Sequence, residues 1–449
     1  MSKQRIQLSD HFTYPRLLRF VLPCIGTMLF TSIYGIVDGL CVSNFVGKTA
    51  FAAVNLIMPL PMLLGTIGFM LGTGGSAIVG ITLGEGDQKK ADRYFTLFLL
   101  AALVSVSVLA VLGIVFLRPI AVLLGARGEL LDYAVRYGRI LMVSLPTFAL
   151  QNMFQSFFVT AEKPHLGFWF TVGAGCTNMV LDVLMVGVWG WSVEGAAIAT
   201  FISQLVGGVL PVFYFIDRSN TSRLHLCQTK VYGGVLRDAC INGSSELMTN
   251  LSMSLVNILY NFQLLRLAGE NGVAAYGVIM YAAFLFVAVF VGYAVGSAPI
   301  VSFHYGARNH AEVHNLYRKS LRLIAVVAVT LTLASMFIIP CVARVFVGYD
   351  AELLALTSRA FRLYALSFLI MGFNVYASSF FTALGDGVTS ALISFLRTLA
   401  FQVIAILLLP MLLGIDGIWL AVTAAELAAL AVSAAMLLTK DKVFHYRKA

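Results

Sequence analysis

The chain has 449 residues, of which 59% are hydrophobic and only 11% are charged, and its mean hydropathy is +0.89. A soluble domain carries about 25% charged residues, so this composition excludes a secreted enzyme, a cytosolic dehydrogenase and a soluble nucleic-acid binder. The formal net charge of +9 has to be interpreted by its position along the chain. The class that remains is an all-α integral membrane protein.

A membrane-spanning helix needs about 20 apolar residues. Twelve stretches meet this requirement, and we number them helix 1 to helix 12 in chain order: 16–43, 51–83, 93–117, 132–160, 165–187, 193–216, 236–267, 273–305, 317–340, 357–384, 388–413 and 416–438. We find no phosphate-binding loop, Walker motif or metal-hydrolase motif in the sequence. We therefore expect a protein that is not an enzyme and binds no cofactor.

Lysine and arginine are enriched in the cytoplasmic loops of membrane proteins. The two termini and the loops after even-numbered helices, with their flanking helix ends, contain 20 of these residues, whereas the opposite side contains nine. One more, Arg397, lies inside a predicted span. This bias predicts a multi-pass protein of the cell (inner) membrane with both termini in the cytoplasm. It also explains the basic excess without a nucleic-acid partner.

Three pairs of segments resemble each other at one constant offset of 222 residues, which indicates an internal duplication. The paired segments are 52–60 with 274–282, 74–87 with 296–309, and 193–199 with 415–421. Six helices per copy is an even number, so both copies enter the membrane in the same orientation and are related by a pseudo-two-fold axis along the membrane normal. Such a pair suits alternating access by rocking around a central cleft.

The duplication divides the chain into three parts. We predict an N-terminal six-helix lobe over 1–217, a cytoplasmic linker over 218–233, and a C-terminal six-helix lobe with a short cytoplasmic tail over 234–449.

Charged side chains inside a membrane are costly and are therefore candidates for function. Asp38 in helix 1 and Asp182 in helix 5 are two of them, and Asn178 lies one turn before Asp182 on the same face. Together with Thr200 in helix 6, they fall at depths of about 8–13 Å below the outer boundary, at about 1.5 Å per residue. Oxygen atoms suit a hard cation, and two close carboxylates suit a proton carrier. The alternative is a set of hydrogen bonds that only holds the lobe together.

The second lobe does not repeat this set. At the offset of 222, Asp38 corresponds to Tyr260, Asn178 to Ala400 and Asp182 to Ile404. The predicted Na⁺ or H⁺ coupling site is therefore a property of the first lobe.

Helix 7 carries a polar stripe of Glu246, Asn250, Ser254, Asn257 and Asn261 within an arc of roughly 80°. Such a stripe should not face lipid and faces either a partner helix or a wet cavity. We expect it to face a cavity and to contact substrate. In helix 4, a second group of polar side chains lies beside phenylalanines, which suits flat amphipathic ligands or simple packing equally well: Gln151, Asn152 and Gln155.

We predict a structural or gating role for three further residues: Arg397, Glu426 and Pro23. Glu246 and Arg397 lie at similar depths, which favours an ion pair between helices 7 and 11. Glu426 in helix 12 corresponds to Gln204 in the first lobe, so both lobes keep a polar group there. Pro23 should kink helix 1.

The sequence resembles the multidrug and toxic compound extrusion (MATE) family over essentially its full length. The similarity includes LPCIGTMLFTSIYGIVDGLCVSNFVG in helix 1, VGAGCTNMVLDVLMV in helix 5, VEGAAIAT in helix 6 and LGARGEL after helix 3. The resemblance implies an antiporter that exports drug-like, often cationic compounds in exchange for Na⁺ or H⁺. Asp38, Asn178, Asp182 and Thr200 occupy the positions of the cation site in the family's prokaryotic branch.

The resemblance also bears on the second lobe. Other branches of the family place an acid in helix 7, to which Glu246 can correspond. An acid that some members have in helix 10 is absent, and Asn374 is the nearest polar residue.

Two other functions compete with drug export. A flippase for lipid-linked saccharides predicts a more cationic cavity and often two extra helices. A channel or receptor predicts polar rings contributed by several helices, without a carboxylate cluster in one lobe. We expect small amphipathic molecules and the lipid bilayer as partners, and a monomeric protein.

Overall fold

The structure is a computed structural model that describes residues 6–45, 48–348 and 350–446, with side chains in those ranges except at 38–45, 48, 51, 342 and 345. Within these ranges all regular secondary structure is helical. The protein is an all-α integral membrane protein with twelve spanning helices in two six-helix lobes.

The first lobe contains α1 to α6, several of which are interrupted. Their bounds are α1 Tyr14–Phe45, α2 Lys48–Ile57 and Pro59–Gly84, α3 Gln88–Leu123, α4 Glu129–Thr160, α5 Pro164–Asp182 with the π-helix Val183–Val188, and α6 Val193–Gly208 and Leu210–Ile216.

The second lobe contains α7 to α12, followed by a short terminal helix, α13. α7 and α8 together span Gly233–Gly306. The non-helical backbone of Gly269 (φ 62°, ψ −150°) separates them. The others are α9 His310–Val347, α10 Ala351–Ala365 and Phe368–Ala383, α11 Gly387–Phe395 with the π-helix Leu396–Ala400 and Phe401–Leu413, α12 Ile415–Thr439 and α13 Asp441–Phe444.

Length and composition agree with twelve spans. Among the described residues, nine helices are long and apolar enough to cross a membrane, and the two parts of α10, bent by 46°, make a tenth. The stretch Gly233–Gly306 counts once among the nine but contains two spans. α4 completes the set with 32 residues, and its lower hydropathy comes from Gln151, Asn152 and Gln155.

The internal duplication is visible in the helix ends. α2 ends at Gly84 and α8 ends at Gly306, which are 222 residues apart. The next helix in each lobe is capped in the same way, because the side chains of Asp87 and Asn309 each accept a hydrogen bond from the backbone amide three residues later.

The two lobes meet along a glycine-rich seam with two-fold symmetry. Gly74 of α2 packs on Gly243 of α7, and its counterpart Gly296 of α8 packs on Val21 of α1, the counterpart of Gly243. Such reciprocal contacts are what a two-fold axis requires. Gly80 packs on Ser302, its own counterpart, so the axis passes between these two residues.

The seam lies at one end of the molecule. The close backbone contacts involve the last turns of α2 and α8, at Gly84 and Gly306, and the beginning of α7. Asn242 adds a polar link there, because its side-chain amide donates to the carbonyl oxygens of Gly74 (3.4 Å) in the first lobe and Thr382 (2.9 Å) in the second. These contacts hold the lobes together on the side where both termini lie.

On the same side, the chain before α1 connects the lobes. We call residues 6–13 the terminal strap. The backbone amide of Leu8 donates to Glu162 Oε1 (2.9 Å) in the first lobe, and that of Phe12 donates to Glu312 Oε1 (2.9 Å) in the second. The side chains of Leu8 and Phe12 are fully buried. The strap therefore closes this end of the molecule.

Candidate functional site

The predicted pair in the first lobe forms within α5. Asn178 Nδ2 donates a hydrogen bond of 2.6 Å to Asp182 Oδ2, and both side chains are buried. Directly after Asp182 the helix changes to a π-helix over Val183–Val188. π-helical turns are rare and occur frequently at functional sites. The buried carboxylate thus lies at the point where the regular helix of α5 ends.

The side chain of Asp38 lies outside the described residues, but its helix, α1, packs against α5. Gly175 of α5 packs on Phe30 and Tyr34 of α1, and the two helices run in the same direction. Two turns further on, Asp182 is therefore level with the α1 backbone near residue 38.

Thr200, another member of the predicted ligand set, lies in α6. Its hydroxyl donates to the carbonyl of Ala196 in its own helix (3.0 Å). It lines a cavity of about 40 Å³ that also contacts Ser144 and Gln204. One hydrogen bond between α5 and α6 is made by Ser203, whose hydroxyl donates to the carbonyl of Ala174 (2.8 Å).

The donor chemistry of the first lobe fits a hard cation, because Asp182, Asn178 and Thr200 offer oxygen atoms. Among the described residues no group of three or more His, Cys, Asp or Glu side chains lies close enough to hold a metal ion. A site here therefore depends on amide and hydroxyl oxygens, and on Asp38.

The amides of α4 are largely packed against neighbouring helices. Gln151 is buried against Gly207 of α6, and Asn152 is buried near Gly72 of α2. The neighbouring phenylalanines form an aromatic core with α3 and α6: Phe154, Phe157 and Phe158. Only Gln155 lies near the seam, in a cavity of about 10 Å³ shared with Cys24 and Val295.

The polar stripe of α7 faces the opposite lobe. Gly243, which packs on α2, lies on the same helical face as Asn250, Ser254, Asn257 and Asn261, within about 40° of each at about 100° per residue. The last three of these are exposed, whereas Asn250 is half-buried. The stripe continues the face of α7 that forms the seam, and the exposure of its outer residues favours a role in the cleft.

Arg397 has a different partner from the one predicted. Its Nη1 lies 3.8 Å from Glu426 Oε1 of α12, and no ion pair with Glu246 is formed in the described structure. Glu426 Oε2 accepts a hydrogen bond from Asn374 Nδ2 of α10 (2.7 Å). Depth alone suggested the pair with Glu246, but the rotation of each helix decides which side chains meet. Glu246 is half-buried, within electrostatic range of Arg397.

Two features of this region were not predicted from the sequence. Arg397 lies in a second π-helix, Leu396–Ala400, in the helix of the second lobe that corresponds to α5. The terminal strap was also missed, because residues 6–13 show no apolar periodicity.

α1 continues through Pro23 as one helix, and the Thr27 hydroxyl donates to the Pro23 carbonyl (2.9 Å).

Comparisons with known proteins agree with this architecture. The sequence model of the MatE family matches residues 23–184 and again 247–408. Multidrug export protein MepA of Staphylococcus saprophyticus is 21% identical over 431 residues, which cover 95% of this chain and 94% of that protein. MepA of Staphylococcus aureus is 21% identical over 432 residues, covering 96% and 95%.

Solved structures share the fold. An outward-facing structure of a multidrug resistance MATE family transporter superposes with a TM-score of 0.91 at 22% identity, covering all of both chains. A structure of the Vibrio cholerae MATE transporter VcmN superposes with a TM-score of 0.89 at 18% identity, covering 96% of this chain and 98% of that one. Because the family model matches both halves of the sequence, the chain belongs to the MatE family.

Proposed function

We propose that this protein exports drug-like, cationic amphipathic compounds in exchange for Na⁺ or H⁺ by alternating access. The observation that carries the proposal is the buried Asn178–Asp182 pair at the π-helical break of α5. A charged carboxylate is costly to bury in a membrane, and binding of a coupling ion neutralises its charge. The names of the MepA relatives support multidrug export.

The coupling step follows from charge. With an empty site, the carboxylates of Asp38 and Asp182 favour a conformation that exposes them to water. Binding of Na⁺ or H⁺ neutralises the site and lowers the cost of burying it. The lobes then rock about the glycine seam, and the terminal strap has to leave its position when the end that it closes opens.

The drug path runs along α7. Asn257 and Asn261 lie in the exposed outer part of the stripe, and Glu246 lies nearer the seam. A carboxylate and several amides on one face bind a hydrated cationic group more favourably than lipid-facing helices do. This arrangement suits release of cationic drugs away from the side that holds the termini.

Orientation in the cell (inner) membrane is part of the proposal. The side with 20 of the lysines and arginines is cytoplasmic, and both termini lie there. We expect a Cys introduced at Ser219 to react with a membrane-impermeant thiol reagent only from the cytoplasmic side, in a background without native cysteines. Labelling from outside the cell would show the opposite orientation.

The working unit in this proposal is a monomer.

The experiment that tests the function uses the purified full-length protein in vesicles loaded with a fluorescent cation. An imposed inward gradient of Na⁺ or of H⁺ should drive dye out of vesicles in which the protein has the cellular orientation. Abolishing both gradients should stop transport, and the gradient that supports it identifies the coupling ion. Equal dye movement with and without gradients would indicate a channel and refute antiport.

A further inference from the structure

The second lobe contains a cavity of about 150 Å³ between α7, α8, α10, α11 and α12. Its wall combines the Arg397–Glu426 ion pair with three tyrosines: Tyr260, Tyr276 and Tyr364. The first-lobe cation site does not involve this cavity. The second-lobe cavity is lined by a cationic side chain and aromatic rings, whereas the proposed drug path is lined mainly by acidic and amide groups.

Arg397 has unused hydrogen-bonding capacity. Its distance of 3.8 Å from Glu426 Oε1 is too long for a hydrogen bond, and its buried Nη1 has no hydrogen-bond partner among the described residues. An arginine stays charged and has five N–H donors. A buried donor without an acceptor is costly, so an acceptor from a ligand would be stabilised here.

The carboxylate of Glu426 is less accessible to a ligand than the guanidinium of Arg397. Glu426 receives a hydrogen bond from Asn374 and its side chain is 2% exposed, whereas that of Arg397 is 14% exposed. A ligand in the cavity therefore reaches the guanidinium more easily than the carboxylate. This accessibility favours an anionic group over a cationic one.

The aromatic wall is suited to a flat ring. Tyr260 and Tyr276 stack with ring centroids 4.8 Å apart and an interplanar angle of 12°. The Tyr276 hydroxyl donates to Asn257 Oδ1 (2.8 Å), and the Tyr260 hydroxyl to the Ile418 carbonyl (3.4 Å). With their hydroxyls occupied, these residues offer mainly ring surface to a ligand. A cavity of about 150 Å³ can admit a benzene-sized ring.

The cavity borders the face of α7 that points toward the other lobe. Met253 and Asn257 both line it and are both exposed. A molecule in the cleft could therefore place one end in this cavity while the rest stays between the lobes.

We propose that this cavity is a subsite for a carboxylate carried on an aromatic ring, with Arg397 binding the carboxylate and the tyrosines contacting the ring. The inference rests on the proposed export function and assigns to it a residue that determines specificity. Arg397 then acts as a binding residue as well as the partner of Glu426.

Two dyes that differ only at the carboxylate test this assignment. Rhodamine 110 has a free benzoate group, and rhodamine 123 is its methyl ester. With the full-length protein in detergent, fluorescence anisotropy gives the Kd of each dye. Arg397→Gln should weaken binding of rhodamine 110 by about tenfold or more and leave that of rhodamine 123 within about twofold. The matched control Arg237→Gln removes an exposed arginine and should change neither Kd.

Two further variants keep the test decisive if Arg397→Gln folds poorly. Arg397→Gln with Glu426→Gln removes both charges and should show the same selective loss. Glu426→Gln alone removes a negative charge beside the ligand and should tighten binding of rhodamine 110 selectively. An equal effect on both dyes, or no effect on rhodamine 110 in any variant that folds, would overturn the subsite.

The same dyes separate this proposal from the proposed function. If the wild-type protein binds them with the expected selectivity but moves neither one under Na⁺ or H⁺ gradients, the subsite stands and export fails. If both dyes are exported but Arg397 does not distinguish them, export stands and the subsite fails.

Discussion

Glu312, in the first turn of α9, accepts a hydrogen bond of 2.9 Å from the backbone amide of Phe12. Its other oxygen lies 2.6 Å from His11 Nδ1, and Lys319 Nζ donates to the Phe12 carbonyl at 2.6 Å. Together with the bond from Leu8 to Glu162 in the other lobe, these contacts make residues 6–13 a bridge between the two lobes, which separate at this end in the proposed transport cycle.

We therefore expect Glu312→Gln to favour opening on the side of the termini. A hydrogen bond to a charged group contributes about 1.5–3 kcal/mol, so weakening these contacts should raise the open population about tenfold. The measurement is alkylation of Cys24, a 4% exposed thiol at the seam, in a protein whose other cysteines are replaced by serine. Glu129→Gln, at an exposed site in the first turn of α4, is the control. Unchanged Cys24 reactivity in Glu312→Gln would show that the bridge does not limit opening.

A second prediction concerns the proposed coupling site. Asp182→Asn and Asp38→Asn should each abolish gradient-driven dye efflux from vesicles without loss of folded protein, because an amide keeps the size of the side chain but not its charge. Asn178→Ala removes the 2.6 Å hydrogen bond to Asp182 and should reduce efflux less severely. Asp132→Asn, at an exposed site in α4, should transport normally. Full efflux by either aspartate variant would refute the site.

The seam can be tested with a single methyl group. A Cβ at Gly243 would overlap the carbonyl oxygen of Met70, so Gly243→Ala should lower the free energy of unfolding by about 1–3 kcal/mol. Gly277→Ala in the same continuous helix meets nothing within 4 Å. It should leave stability unchanged or raise it by up to about 1 kcal/mol. Thermal unfolding in detergent compares the two, and equal melting temperatures would show that the seam is not tightly packed.

A fourth prediction concerns the ion pair of the second lobe. Stability measurements on single and double glutamine variants should show coupling between Arg397 and Glu426, of about 1–3 kcal/mol, and less between Arg397 and Glu246. The reason is the 3.8 Å contact with Glu426. Stronger coupling to Glu246 would restore the pair that depth suggested. Glu246→Gln should then affect export of cationic drugs less than it affects folding.

Stability should also depend on pH through Asp386, which precedes α11. Burial alone would raise the pKa of this carboxyl, but hydrogen bonds from Lys440 (2.9 Å) and Thr389 outweigh it and lower the pKa below its ordinary value of 3.8. A lowered pKa in the folded state means that the carboxylate stabilises the fold above pH 3.8, and that this contribution is lost as the pH falls through the lower value.

Asp386→Asn should therefore cost about 1 kcal/mol at pH 7, and the difference from wild type should shrink in strong acid. Melting temperatures at pH 7 and near pH 3 test this, with Asp238→Asn at an exposed pair as control. A difference that grows toward acid pH would contradict the sign.

Much of the fold followed from the sequence, because apolar length and a repeated offset are properties of the chain itself. The break at Gly269 lies between the predicted ends at 267 and 273. Contacts between helices were harder to predict, since depth leaves each helix free to rotate about its axis. This is why Arg397 meets Glu426, and why Gln151 faces α6. π-helices and the terminal strap leave no periodic pattern to recognise.

The symmetric seam also distinguishes positions that the two lobes share from positions at which they differ. At Gly74 and Gly243 the lobes touch through main-chain atoms, which are the same whatever side chains surround them. Three of the four positions in this reciprocal contact are glycines, and the fourth is Val21, which meets Gly296 through its side chain. Residues away from them were free to diverge, as the contrast between Asp182 and its counterpart Ile404 illustrates. In the proposed transport cycle, the ion and drug sites of one lobe can therefore change without altering the contact about which the lobes rock.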